Sequence, residues 1–313
     1  MNKNCILVGG SGFLGLNTAR ALLKAGYNVS IVDLKEPSLP GFAEIAGEVK
    51  FHRVDYRDSG KLKSALKDQE ILFHLACSSL PATSVANVED DIGQNVLESV
   101  RLFRKAAELG IRLIVFPSSG GTVYGNSEKL PIDETFLTDP ICSYGVTKLM
   151  TEKYLSFFNK MFGVDYLILR IANLYGPGQV PNAAQGLIAN AIAKALANKP
   201  ITVFGKGENI RDYVYVEDAV KALVVGIERG LKNDVFNIAS GKGYSINDVI
   251  GVISKIMEVN PQVVHSDKRL FDVEANILDS SKFISATGWK TEMSIEDGIN
   301  NAYRWVKEFF YSR

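Results

Sequence analysis

Short apolar runs without polar alternation recur through the first half of the chain, at Cys5–Val8, Val29–Asp33, Val49–Val54, Ile71–Ala76, Leu113–Pro117 and Tyr166–Arg170. They are rich in Ile, Val, Leu and Phe. A strand with one wet face would alternate, so these runs predict strands buried on both faces of a parallel sheet. Between them, segments with helical patterning, among them Gly12–Ala25, Asn95–Leu109 and Val146–Phe162, predict helices. Strand–helix alternation of this kind predicts an α/β fold built on a doubly wound sheet.

After Arg170 the rhythm changes. Gly176-Pro177-Gly178 and then Pro181 mark an irregular stretch. A helix (Gly186–Asn198), short strands (Ile201–Phe204 and Tyr213–Val216) and further helices follow. Ser245 with Asp248, and Ser294 with Asp297, predict capped starts for two of them, Ile246–Met257 and Gly298–Phe310. The pattern divides the chain into a first domain over 1–172 and a smaller α/β lobe over 173–313, with 216–240 returning to the first sheet.

Composition narrows the function. With 46% hydrophobic residues the chain can pack a core, which excludes a disordered protein. Thirty-five basic residues balance thirty-five acidic ones. No basic excess is left to neutralise the phosphates of nucleic acid or of an anionic membrane. The apolar runs are far shorter than the roughly 20 residues needed to span a bilayer, so no membrane partner is expected. Cys5, Cys77 and Cys142 cannot form a disulfide framework and fit a reducing, cytoplasmic setting. His52, His74 and His265 are scattered, so no metal site is expected.

The first strand runs into Gly9-Gly10-Ser11-Gly12-Phe13-Leu14-Gly15. Gly9 permits a tight turn, Gly12 a close approach of backbone to a pyrophosphate, and Gly15 close packing of helix on strand. The helix start then offers unpaired N–H groups to the phosphates. Asp33 closes the second strand, where a carboxylate accepts hydrogen bonds from an adenosine ribose. A 2′-phosphate beside that carboxylate would be repelled, so NAD is favoured over NADP. Asp55 closes the third strand and either caps the adenine amino group or serves as a helix cap.

Tyr144 and Lys148 stand four apart, so on a helix both heads meet one ligand. Tyr303 and Lys307 repeat the spacing, but beside Trp305 and far from any glycine loop they read as structural. The first pair has company: the fifth strand runs into Pro117-Ser118-Ser119-Gly120-Gly121-Thr122-Val123-Tyr124-Gly125. Hydroxyls at a strand's C-terminal end face the ligand crevice of such a sheet. An ammonium about 4 Å from the phenol contributes about 4 kcal/mol at an effective dielectric of about 20. That lowers the phenol by about three pH units from its usual value near 10, which suits Tyr144 as a general base.

Together these residues resemble the extended short-chain dehydrogenase/reductase family, in particular its nucleotide-sugar 4-epimerases. The likeness rests on Gly9–Gly15, Asp33, Val54–Asp58, His74–Ala76, Asn95, Ser118–Gly125, Tyr144/Lys148 and Arg170–Asn173. It continues in Arg211–Asp218, Asn237–Ser240 and Arg269–Asp272. The resemblance implies a Rossmann domain that holds NAD through Gly9, Gly12, Phe13, Leu14, Asp33, Leu34, Asp55, Tyr56, Leu75, Ala76, Cys77, Asn95, Ser118, Tyr144, Lys148 and Ile171. It implies a UDP-sugar held by Asn173, Leu187, Phe204, Arg211, Arg269 and Asn276. Guanidinium forks at Arg211 and Arg269 match diphosphate oxygens. It also implies a homodimer, paired through the helices of Asn95–Leu109 and Val146–Phe162.

Two positions depart from the family pattern. Many family epimerases carry Ser or Thr where Gly120 stands, which leaves Ser119 or Thr122 to meet the sugar hydroxyl, Thr122 slightly ahead. Ser79 replaces a basic residue after the fourth strand, which implies weaker cofactor retention. Sugar dehydratases of the family place Asp and Glu where Gly121 and Thr122 stand. The expected reaction is therefore inversion at C4 of a UDP-hexose or UDP-N-acetylhexosamine through a 4-keto sugar. Asn276 sits at the position beside the C2 substituent, where a small residue admits an acetamido group. A nucleotide-sugar reductase or dehydratase of the same family and, in another class, a non-catalytic dinucleotide-binding sensor are the alternatives.

Overall fold

The computed structural model describes residues 3–36, 40–181 and 186–311. The first half reads β1 (Asn4–Val8), α1 (Phe13–Lys24), β2 (Asn28–Asp33), β3 (Lys50–Arg53), α2 (Ser59–Leu66) and β4 (Ile71–His74). Then come α3 (Pro81–Ser84), α4 (Val88–Asp91), a π-helical turn (Ile92–Leu97), α5 (Glu98–Glu108), β5 (Leu113–Ser119), α6 (Ser143–Phe162) and β6 (Asp165–Ile171). The second half continues with β7 (Asn173–Tyr175), α7 (Leu187–Leu196), β8 (Ile201–Phe204), β9 (Ile210–Tyr215), α8 (Val216–Glu228) and β10 (Asp234–Ile238). It ends with β11 (Gly243–Ser245), α9 (Ile246–Met257), β12 (Val263–Ser266), β13 (Ala275–Asn276), α10 (Ser281–Thr287) and α11 (Ile295–Phe310).

Seven strands form one parallel sheet in the order β10-β6-β5-β4-β1-β2-β3. The chain builds outward from β1 in one direction and then from β4 in the other, so the strand order reverses between β1 and β4. A crevice opens there, at the strands' C-terminal ends. Burial on both faces explains the apolar runs. In β1, Leu7 packs with Ile31 and Phe73 on one face, while Ile6 and Val8 pack with Leu72 and Phe116 on the other. Asp234–Ile238 lies beside β6, with Ile238 opposite Ile171.

Sequence and structure part company at short elements. The predicted helix Asn95–Leu109 begins as the π-helical turn, and the one predicted from Val146 starts at Ser143. The strand seen from Tyr213 begins at Ile210. Strands β7, β11 and β13 are too short to carry a period, yet all three pair with β9 into a small second sheet. Ser245 Oγ accepts from Asp248 N at 3.0 Å while Asp248 accepts from Ser245 N at 2.9 Å, a reciprocal cap for α9. Around the small sheet, α7, α9 and α11 share a cluster that includes Ile192, Val249, Ile253, Ile299 and Trp305. No helix among the described residues is long and apolar enough to cross a membrane.

Candidate active site

The glycine loop leaves β1 into the crevice. Gly9 has φ +82°, and a Cβ there would stand 2.4 Å from Ala76 N. Both facts demand glycine. A Cβ on Gly15 would lie 2.4 Å from the Gly10 carbonyl oxygen, so α1 packs directly on the loop. Gly12 differs: a Cβ there meets nothing within 4 Å. The α1 start has no side-chain cap and no acid in its first turn. Its N–H groups and the open space at Gly12 fit the diphosphate of a dinucleotide. Asp33 braces the loop by accepting from Ser11 N at 3.0 Å and Leu34 N at 2.7 Å.

The neighbouring residues divide. Leu75 N donates to Val8 O at 2.8 Å, which holds the loop after β4 against β1. Asn95, delivered by the π-helical turn, accepts from Ser78 N at 2.9 Å and donates to Asp91 at 2.7 Å. Ala76, Cys77, Asn95 and Lys148 line one small cavity. Phe13 and Leu14 are half-buried at the start of α1, while Leu34 is exposed. Tyr56 donates its hydroxyl to Gln94 O at 2.7 Å. Asp55 is gripped by Arg57, Nε to Oδ1 at 2.9 Å and Nη2 to Oδ2 at 2.6 Å, which holds its carboxyl below the usual range. Ser118 turns its hydroxyl away from the crevice, to Glu152 at 2.5 Å.

Helix α6 carries Tyr144 and Lys148 on one face. Tyr144 N donates to Ser84 Oγ at 3.0 Å. Lys148 Nζ donates to Pro117 O at 3.2 Å and lies 5.7 Å from the centre of the Tyr144 ring. Desolvation dominates at the phenol. Burial pushes the Tyr144 phenol well above its usual value, and Cys77, Cys142 and Asp91 push the same way. A hydrogen bond with Ser119 pulls it down. Ser119 therefore meets the phenol, whereas Thr122 Oγ1 is buried without a hydrogen-bond partner.

Gly120 is enclosed. Its N–H donates to Ile171 O at 2.9 Å, and a Cβ would stand 2.4 Å from Leu278 Cδ1 and 2.9 Å from Arg170 O. A Cβ on Gly121 would lie 2.9 Å from Asn173 Oδ1, so the glycine makes room for that amide. Below the strand ends runs a buried chain that sequence reading missed. Arg170 grips Glu152 at 2.7 Å and donates to Tyr124 Oη at 2.9 Å, which donates to Asn237 at 2.8 Å. Glu152 stands four residues after Lys148, a helical spacing that was available as a signal.

The second lobe supplies cations. Arg211 is half-buried and donates to Ile210 O at 2.8 Å. Desolvation pulls its guanidinium below the usual value, and the charge of Arg269 adds to this. Arg269 is held by Asp272 at 2.8 Å and covers the Phe204 ring at 4.2 Å. Two guanidiniums within range of one carboxylate, that of Asp272, leave a positive surplus suited to a diphosphate. Asn276 is buried beside Arg211 in the β13–β9 pairing and donates to Gly120 O at 3.1 Å. Leu187 is half-buried at the start of α7. Tyr303 and Lys307 lie on α11, whose apolar face belongs to the second lobe's own cluster. No cluster of potential metal ligands occurs among the described residues.

The profile of the NAD dependent epimerase/dehydratase family matches residues 5–239. The chain belongs to that family. NAD is its cofactor, and the open N–H groups at the start of α1 fit it. Family members of known structure superpose closely. A UDP-glucose 4-epimerase from Thermotoga maritima, solved with UDP-glucose, has a TM-score of 0.90 at 33% identity, covering 97% of this chain and 99% of its own. A UDP-N-acetylglucosamine 4-epimerase from Methanobrevibacter ruminantium M1, solved with UDP-N-acetylmuramic acid, has a TM-score of 0.89 at 28% identity, covering 98% and 99%. A dTDP-4-dehydro-6-deoxyglucose reductase from Escherichia coli is 32% identical over 97% of this chain and 98% of its own length.

Proposed function

We propose that the protein is an NAD-dependent epimerase that inverts C4 of a UDP-hexose or UDP-N-acetylhexosamine through a transient 4-keto sugar. One observation carries the reading. The phenol of Tyr144, set against Ser119, stands at a strand end where Gly121 and Thr122 offer no carboxylate. Removing water from the sugar requires further acids there; epimerisation requires one group that takes and returns a proton. Arg211 and Arg269 supply the charge to hold the diphosphate. Gly9, Gly12, Asp33, Ala76 and Asn95 would hold the dinucleotide, with Lys148 at its nicotinamide ribose.

When bound, NAD accepts the C4 hydrogen as hydride and returns it. Tyr144 takes the C4 hydroxyl proton and later gives it back, while Ser119 orients that hydroxyl. Lys148 stabilises the phenolate with its charge. Asn276, small and beside Gly120, leaves room for an acetamido group at C2. The E. coli relative supports a second reading, a nucleotide-sugar reductase, which would exchange cofactor at every turnover. Purified protein incubated with UDP-glucose, UDP-galactose and their N-acetylamino counterparts, without added cofactor, separates the two. Interconversion within a pair supports the epimerase. Turnover only with stoichiometric reduced dinucleotide overturns it in favour of the reductase.

A homodimer belongs to the same proposal. Leu97, Val146, Phe157, Met161 and Phe162 are all exposed on the π-helical turn and α6, and Met161 and Phe162 keep more than half of their surface. An apolar strip of this kind is suited to a symmetry mate. The cytoplasmic setting inferred from three unpaired cysteines completes the proposal.

A further inference from the structure

Asp91 is a buried carboxylate, 3% exposed, and every partner it has is neutral. Its Oδ1 accepts from Ser79 Oγ at 2.5 Å and Asn95 Nδ2 at 2.7 Å; its Oδ2 accepts from Ser143 Oγ at 2.5 Å. No ion pair to it occurs among the described residues. Burying a carboxylate among neutral donors alone costs stability, so its place here points to a use. The three donors come from separate walls of the site. Ser79 lies on the loop after β4, three residues beyond the Ala76 that abuts Gly9. Asn95 holds the same loop through Ser78 N. Ser143 opens α6 and directly precedes Tyr144.

We propose that Asp91 is a positioning residue, which ties the first turn of the Tyr144 helix to the loop after β4 so that the dinucleotide wall and the phenol are set as one unit. The proposal rests on the role given to Tyr144 above. The carboxylate adds a second effect through its charge. Around the phenol stand the Cys77 thiol from the loop, the Cys142 thiol at the helix start, the Ser119 hydroxyl from β5 and Lys148 from its own helix. Asp91 is the carboxylate among the groups acting on the phenol, and it opposes the phenolate.

Asp91→Asn keeps an acceptor for Ser79 and Asn95, turns its N–H group to the Ser143 hydroxyl, which can accept it, and discards the charge. Asp91→Ala discards both. Two readouts need only the dinucleotide: affinity for NAD by calorimetry, and ultraviolet difference titration of the phenol in the NAD complex, with Tyr144→Phe as blank. Failure of the sugar assay therefore leaves both standing. In Asp91→Asn the thermal midpoint and NAD affinity should stay near those of the native protein. Its phenol should titrate lower by about half a pH unit or more, because an opposing anion has gone. Asp91→Ala should bind NAD about tenfold more weakly. Unchanged NAD affinity in a folded Asp91→Ala would overturn the proposal; titration of Asp91→Asn at the native pH would overturn the second, electrostatic effect. If Asp91→Ala fails to fold, the NAD affinity of Ser143→Ala, which cuts only the tie to α6, decides in its place.

Discussion

Tyr144 and the glycine loop show how much can turn on single atoms. Tyr144→Phe removes the phenol that Ser119 meets and keeps the ring. It should abolish turnover in single-turnover assays while NAD still binds, whereas Tyr303→Phe on α11 should be nearly silent. Gly9 and Gly12 separate two uses of glycine. Gly9→Ala meets both a positive φ and the Ala76 backbone, so it should unfold the loop and destabilise the protein by more than about 2 kcal/mol in denaturant titrations. Gly12→Ala meets no protein atom and should change stability by less than about 0.5 kcal/mol. It should nevertheless lose the thermal shift that NAD confers, because its methyl enters the diphosphate's space. His74 gives a pH signature. Buried against Phe116 and bonded to Ser99 at 2.6 Å, it is pushed down to about 3, so the folded protein keeps it neutral. The unfolded chain takes the proton near pH 6.5, so stability is complete above that pH. It falls by about 1.4 kcal/mol per unit as pH drops towards about 3. Thermal midpoints of His74→Gln should show a shallower acid limb than the native protein.

Elements were legible in proportion to their length and burial. The inner strands of the large sheet announced themselves because both faces are dry; the edge strand β3, with no residue buried, did so less clearly, and the glycine turn was legible because its neighbours were a strand and a helix. Strands β7, β11 and β13 span two or three residues, too few to show a period, and only their pairing with β9 reveals them. Asp91 was hidden differently. It ends the run Glu89-Asp90-Asp91, which reads as a solvated acidic turn, and nothing in the order of residues says which member is buried. The short-range charge argument for Tyr144 and Lys148 left out burial, which dominates at the phenol. Spacing fixes the face of a helix, but the Pro117 carbonyl decides where the ammonium goes. The exposed strip on α6 carries its own expectation. Phe157→Glu, on a residue about half exposed, should convert a dimer to a monomer in light scattering at micromolar concentration and leave the helix content unchanged.

At the scale of the molecule, polar contacts join the small sheet to the strand ends of the large one, beside the apolar packing of Val214 and Leu278. Asp212, almost fully buried, accepts from Ser240 N at 2.9 Å, Gly241 N at 2.9 Å and Leu278 N at 3.4 Å. It thereby seats Arg211 beside Asn276, and Asn276 in turn reaches Gly120 on the first sheet. Arg211 and the strand end that carries Ser119 thus share a frame. Asn276→Tyr tests that frame against the sugar. A phenol ring in this buried place should suppress turnover of UDP-N-acetylhexosamines selectively, measured beside the plain hexoses. An equal loss on all four sugars would mean that the ring has broken the joint to Gly120 instead.

The crowding around Gly120 also constrains which mutations can accumulate there. A Cβ at that position collides with Leu278 Cδ1, so a serine introduced there alone meets a steric barrier before its hydroxyl can be of use. Trimming Leu278 first would open a cavity in the core, where large-to-small changes cost about 2–5 kcal/mol. Even with Leu278 trimmed, a Cβ at Gly120 still stands 2.9 Å from the Arg170 carbonyl oxygen, so the two changes together leave the backbone contact in place. A serine at this position therefore needs the β6 backbone at Arg170 to move as well, which no substitution of a neighbouring side chain supplies by itself.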